Sequence, residues 1–353
     1  MVSVPVIAGL GVALPPSTTQ DELWRGFFAD RYAGTTRALA ERIFANSGVT
    51  RRQAAVSPLL EDVGDWPTER RMRRYLVEAL PLGKEAVDRA LTASGLAARD
   101  LGLFAVCSCT GYVTPGLDIL LARDMGMGAD TQRLFVGHMG CYAALPGLGA
   151  VTDFVAARGR PALLLCAELT SLHLQPSAIR VDTQQIVAHA LFSDAAAAVV
   201  VAPHAGSGYA VREVAAVTDT STADHMTWDV TDLGFRMGLS PRVPQVLSLH
   251  VRGLVDRLLE RHGLGVADVD GWAVHPGGPR ILTVVEQHLG LPPQALAASR
   301  ATLADHGNCS SPTVLLILDR LRRAPSPPRW TVMLAFGPGL TLYAALLEYV
   351  PPA

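Results

Sequence analysis

Three residues in this sequence have side chains and neighbours suited to chemistry on a thioester. Cys141 stands in Gly140-Cys141-Tyr142-Ala143-Ala144-Leu145, after the apolar run Leu134-Phe135-Val136. The glycine permits a sharp turn, and an Ala-rich helix is expected to follow. A thiol at such a turn sees the positive end of the helix dipole, which favours thiolate, the form that attacks thioesters. The competing reading is a small buried hydrophobe, the common state of cysteine. His275 closes an apolar run and enters His275-Pro276-Gly277-Gly278-Pro279, a rigid setting for an imidazole. It could donate to a developing oxyanion or pair with a thiolate; a satisfied core histidine is the alternative. Asn308, in Gly307-Asn308-Cys309-Ser310-Ser311, suits a helix N-cap. Its carboxamide can equally support a carbonyl oxygen that becomes negative. Being uncharged, it can stabilise an enolate without supplying a proton that quenches it.

The elements that must position these residues are legible as a repeat. Gly95–Cys107 lies over Gly263–His275, each reading as a helix end, a turn and an apolar strand. The offset is 168 (275 minus 107). It recurs where His138-Met139-Gly140-Cys141 lies over His306-Gly307-Asn308-Cys309, and where Pro161–Cys166 lies over Arg329–Leu334. The first half carries an extra stretch near Thr170–Leu191, after which Ala195–Ala202 and Leu340–Leu347 read as matching final strands. The chain therefore reads as two similar α/β halves, 1–206 and 207–353, packed intimately because no flexible linker separates them. At paired strand ends one half has Cys107 and the other His275, and at paired turns one has Cys141 and the other Cys309 beside Asn308. A site between the halves would gather Cys141, His275 and Asn308.

Composition narrows the class. The 353 residues are 49% hydrophobic and 18% charged, with a formal net charge of -2, which suits a globular protein and gives no reason to expect a nucleic-acid partner. Five cysteines, an odd number, without a basic secretory leader point to the cytoplasm and reduced thiols. Cys107-Ser108-Cys109 is not a metal spacing, so no metal is expected. The longest uncharged runs are broken by Gly and Pro, so no transmembrane helix is expected.

The motifs around Cys141, His275 and Asn308, together with Phe336-Gly337-Pro338-Gly339-Leu340, resemble those of the type III polyketide synthases, the chalcone and stilbene synthase family, in a form close to its bacterial members. The resemblance runs from about residue 80 onward and is weaker before it. It implies the thiolase fold, five layers αβαβα from two duplicated halves, and a cytoplasmic homodimer. It also implies acylation of Cys141 by a starter acyl-CoA, with His275 keeping the thiol ionised. His275 and Asn308 would then hold a malonyl-CoA-type extender during decarboxylation. Coenzyme A enters only as a carrier, so no cofactor is implied.

Phe192 matches a gatekeeper between the CoA tunnel and the cavity, and Phe235 and Met237 compete for a second such position. Cys109, Thr110, His173, Trp228, Ser310 and Gly339 fall at or near cavity-lining positions, and Thr114 matches a residue crossing the dimer interface. Arg42, Arg51 and Arg52, with Gly277 and Gly278, are candidates for holding CoA. The chain departs from the family pattern at Ala144, Ala335 and Leu145, where glycines are usual. The weakly defined CoA cations leave an acyl carrier protein open as the donor. Three other readings stand beside this one. A third-type ketoacyl synthase shares the Cys-His-Asn set but usually carries Gln-Ala-Asn after its histidine. A ketosynthase joining two preformed acyl chains also fits. A non-catalytic scaffold that binds an acyl carrier is the reading from another class.

Overall fold

A computed structural model describes residues 4–175, 182–203 and 206–351. Strand β1 (Val6–Ala13) is followed by β2 (Ser17–Thr19), α1 (Gln20–Leu23), α2 (Gly34–Ala45) and β3 (Arg51–Gln53). The long helix α3 (Thr68–Ser94) leads into β4 (Leu103–Cys107), α4 (Leu117–Met125), β5 (Gln132–Val136), α5 (Ala144–Arg158) and β6 (Ala162–Glu168). Helix α6 (Thr183–Leu191) and β7 (Ala195–Ala202) follow. Next come β8 (Gly208–Thr218), the hairpin β9 (Met226–Thr231) and β10 (Gly234–Leu239), α7 (Val243–Glu260) and β11 (Gly271–Val274). The chain ends with α8 (Pro279–Leu289), α9 (Ala297–His306), α10 (Pro312–Arg322), β12 (Trp330–Gly337) and β13 (Thr341–Val350).

The strands order as β11-β12-β13-β8-β1-β7-β6-β4-β5. The two wings of this array meet where β1 pairs with β8 over only Val6–Ala210 and Ile7–Tyr209. Strands β6 and β7 are buried along their whole length, as their unbroken Ala, Leu and Val runs require of strands covered on both faces. Helices α5 and α10 fill the space between the wings: Leu145, Leu148 and Val151 of one and Val314–Leu318 of the other share a core with Ala105, Val199, Met333 and Ala345. Helices α3 and α4 cover the outer face of the first wing, and α7 and α8 that of the second. The layers therefore run αβαβα, the thiolase arrangement. Corresponding elements start at one spacing, 168 residues, for β4 and β11 (271 minus 103), α5 and α10 (312 minus 144), and β6 and β12 (330 minus 162).

Helix α3 lies directly on β1. A Cβ on Gly9 would stand 2.2 Å from the Ala90 carbonyl oxygen, and one on Gly11 2.3 Å from that of Ala86. Among the described residues, one helical stretch, Gly140–Arg158, is long and apolar enough to cross a membrane. It is the α5 segment packed between the two wings.

Candidate active site

Cys141 sits in a single 3-10 turn, Gly140–Tyr142, immediately before α5. Gly140 has φ 66°, and a Cβ there would stand 3.1 Å from Cδ of Pro338. The turn joining β12 to β13 thus presses against the nucleophile turn. His275 follows β11, its backbone N–H donating to the Leu334 carbonyl at 2.8 Å. Its ring is buried and neither nitrogen has a protein partner. Buried polar groups ordinarily find partners, so an imidazole left free on both sides is suited to a ligand. Asn308 does not cap α10, which begins at Pro312 with Ser311 before it. Its Oδ1 instead accepts the Ser310 N–H at 2.8 Å. That fixes the carboxamide, leaving the NH2 as the donating end, turned towards the Cys141 thiol. Its backbone is held by N–H donation to the Leu191 carbonyl (2.8 Å) and by Ser193 N–H donation to its own carbonyl (2.9 Å).

Cys141, His275 and Asn308 all line one cavity of about 1140 Å³. Phe192, Met237, Leu239, Gly277, Gly278 and Phe336 line it too. Of the two competing second gatekeepers, Met237 reaches the cavity and Phe235 does not.

The electrostatics differ from the expectation of a resting thiolate. Burial pushes the Cys141 thiol up to about 11, and nearby Glu168 adds to this; hydrogen bonds from the Ser310 and Asn308 side chains act the other way. Burial lowers His275 to about 3. A helix terminus is worth about 0.3–1 kcal/mol, less than one pH unit, whereas desolvation of a buried group moves its pKa by up to several units. Burial outweighs the dipole and favours the neutral thiol and the neutral imidazole.

Sequence reasoning missed Glu168. This carboxylate ends β6, fully buried. It accepts from the Cys109 backbone N–H at 3.0 Å, Thr110 Oγ1 at 2.8 Å and Ser311 Oγ at 3.0 Å. Burial pushes it up to about 7, against those hydrogen bonds. The one signal was an acidic residue closing an otherwise apolar strand.

Several expected cavity residues form a packed block instead. His173 stacks on Phe235 with ring centroids 4.5 Å apart, and Trp228 packs edge-on against both rings. The Phe235 N–H donates to His173 Nδ1 (2.9 Å), so Nε2 carries the proton and donates to the Thr110 carbonyl (2.7 Å). Trp228 Nε1 donates to the Cys109 carbonyl at 2.8 Å. Cys109, Thr110, His173, Trp228 and Phe235 do not line this cavity; the three rings pack on one another instead. Ser310, at φ 56°, lies in hydrogen-bonding reach of Cys109 and Cys141. Thr114 is exposed, and Gly339 lies in the turn between β12 and β13; neither lines the cavity.

The arginines expected to hold CoA fall in different surroundings. Arg52 is buried and donates to the carbonyls of His189 and Phe192. Arg51 is exposed and bonds Ser17 Oγ at 2.9 Å, and exposed Arg42 stays outside the cavity lining. Among the described residues, the arginines that line the cavity are Arg280 and Arg236, the latter paired with Asp182. Arg236 stands between the two gatekeeper candidates and Arg280 directly after the His275–Pro279 loop, but the sequence reading assigns neither to CoA. Among the described residues no group of three His, Cys, Asp or Glu could hold a metal ion.

Cys-His-Asn at the seam of a five-layered fold defines a condensing enzyme of the thiolase type, and the comparisons narrow this further. Residues 5–205 match the N-terminal domain, and residues 211–351 the C-terminal domain, of chalcone and stilbene synthases. The chain is 36% identical to a 1,3,6,8-tetrahydroxynaphthalene synthase of Streptomyces peucetius subsp. caesius, over 97% of this chain and 93% of that protein. It is 29% identical to the alpha-pyrone synthesis polyketide synthase-like Pks18 of Mycobacterium tuberculosis, over 99% and 92%. The crystal structure of PKS-I from the brown alga Ectocarpus siliculosus superimposes with a TM-score of 0.92, at 29% identity over 99% of both chains. The protein belongs to the chalcone and stilbene synthase family, as a type III polyketide synthase of bacterial type.

Proposed function

We propose that this enzyme condenses malonyl-CoA-type extenders onto an acyl starter held as a thioester on Cys141, within two similar halves, 1–206 and 207–353. The observation that carries the reading is the meeting of a buried thiol, an imidazole with both nitrogens free, and an oriented carboxamide in one cavity. Cys141 Sγ attacks the starter thioester as His275 takes its proton, and coenzyme A leaves as the thiol. Imidazole N–H and Asn308 NH2 then hold the extender's thioester oxygen while the carboxylate departs as CO2, leaving the electron pair as an enolate. Its carbon attacks the Cys141 thioester; a C–C bond forms, the C–S bond breaks, and the chain passes to coenzyme A two carbons longer. It returns to Cys141 for another round, or cyclises or is released. Loss of CO2 and of the thioester drives each round, so the steps call for no metal or organic cofactor.

Arg236 and Arg280 suit the anionic end of the donor, whether phosphates of free CoA or the surface of a carrier protein. The block of His173, Trp228 and Phe235 leaves little room for a chain to fold beyond the lined cavity, which favours few extensions. The β5 edge of the sheet exposes Leu134 and Phe135. An unpaired apolar edge asks for a partner, which supports a homodimer.

Incubation of the variants with malonyl-CoA and a starter tests the roles. Cys141→Ala is expected to make no condensation product yet still release acetyl-CoA from malonyl-CoA. Asn308→Ala is expected to lose decarboxylation by roughly 10²-fold, the scale for one oxyanion donor. Undiminished decarboxylation by Asn308→Ala would overturn its role. A product mass with no added two-carbon units would favour the joining of preformed chains.

A further inference from the structure

Arg52 is turned into the interior of the protein, and its surroundings suggest a task other than holding CoA. The residue is 5% exposed. Its guanidinium lies near the Phe28 and Phe44 rings, at 5.8 and 5.9 Å from their centroids. Its hydrogen bonds go to main-chain carbonyls, from one terminal nitrogen to those of His189 and Phe192. These close α6, whose cap is Phe192, and the carbonyls at a helix C-terminus are its unsatisfied, electronegative end.

The peptide leaving that helix end is the one that holds Asn308. Leu191 accepts from Asn308 N–H, and Ser193 donates to the Asn308 carbonyl, a short parallel bridge centred on Phe192 and Asn308. The Arg52 stem also touches the other side of this bridge. A Cβ on Gly307 would stand 3.3 Å from Arg52 Cγ and 2.7 Å from the Leu191 carbonyl oxygen. Next along β3, Gln53 donates its N–H to Ser193 Oγ at 2.8 Å and accepts the Asp194 N–H at 3.1 Å.

We propose that Arg52 is a positioning residue that fixes the end of α6, and through it the Asn308 carboxamide and the Phe192 ring, at the cavity wall. This rests on the decarboxylating role given to Asn308. A guanidinium suits the task because it stays charged when buried and one terminal nitrogen can donate to two carbonyls at once; a lysine ammonium is a compact point charge that demands hydration. Small displacements of a catalytic group are costly, and misplacement by about 1 Å can lower rate by roughly 10²-fold.

The test compares Arg52→Met and Arg52→Lys with the wild-type chain. Three quantities are read: kcat and KM for malonyl-CoA decarboxylation, the rate of Cys141 alkylation by iodoacetamide, and the thermal midpoint. Arg52→Met is expected to lower decarboxylation kcat by roughly 10- to 100-fold, with alkylation of Cys141 within about twofold of wild type. Arg52→Lys should fall between. A merely structural role would instead lower both activities together, in proportion to the folded fraction. Wild-type decarboxylation in either variant, or equal losses of decarboxylation and alkylation, overturns the proposal. Should Arg52→Met not fold, Arg52→Lys carries the test, since it keeps the buried charge. If Asn308→Ala itself decarboxylates normally, the underlying reading fails; if only the Arg52 variants do, this inference alone fails.

Discussion

The Cys141 thiol and the Glu168 carboxylate face the same penalty, since each would carry a negative charge in a buried place, and each gives a pH signature. With the thiol raised to about 11, little thiolate exists at neutral pH. The iodoacetamide alkylation rate of the free enzyme is expected to climb about tenfold per pH unit from neutrality towards that value. A rate already flat near pH 7 would mean a preformed ion pair with His275. Glu168 is raised from 4.5 to about 7, so the folded state holds a proton that the unfolded chain has given up. Its contribution to stability is full below about 4.5 and is lost as pH rises through about 7. Denaturant midpoints of wild type and Glu168→Gln should therefore separate across that window, the wild type falling relative to the variant. Parallel midpoint curves would count against this placement of the charge.

At the scale of elements, the approach of α3 to β1 invites a direct test. Replacing Gly11 by alanine pushes a methyl into the Ala86 carbonyl, a backbone atom that cannot rotate away. The expected loss is about 1–3 kcal/mol or more, typical of overpacking, measured by chemical denaturation. A neutral Gly11→Ala would mean that α3 can shift outward. This level also shows what the sequence made legible. The repeated spacing of strand and helix starts was readable because β6 and β12, and α5 and α10, keep similar apolar runs. The polar contacts that shape the site were not readable, because they join distant segments through main-chain atoms. Gln185 donates to the Met237 carbonyl, and Gln184 accepts the Leu239 N–H, fastening α6 to the hairpin. Arg52 reaches a helix end 137 residues on. No spacing rule announces such partners, so an arginine destined for the interior read as one for phosphate. Phe235 and Met237 could not be told apart in sequence, because two residues apart on β10 they share one face of the strand, and only the tertiary placement of the hairpin decides which of them borders the cavity.

For the whole molecule, the size of the product and the assembly of the chains are the open consequences of the architecture. His173→Ala should open space next to the Thr110 loop and lengthen products by one or more two-carbon units, read by mass spectrometry from the same starter. An unchanged product mass would mean that the ring block does not limit extension. Phe135→Asp, on the β5 edge, should leave a folded monomer by sedimentation if that edge joins two copies. A dimer persisting at micromolar concentration would place the interface elsewhere.

The His173 ring fills volume and also joins two parts of the chain, since one nitrogen holds the segment after β4 and the other holds β10. Replacing His173 to enlarge the chamber thus also removes one of the fastenings between the hairpin and the body. Variants selected for bigger products should melt earlier than their parent, and the more room they gain, the more thermal tolerance they should forfeit. Anyone engineering this enzyme towards longer chains would do well to refasten β10 first.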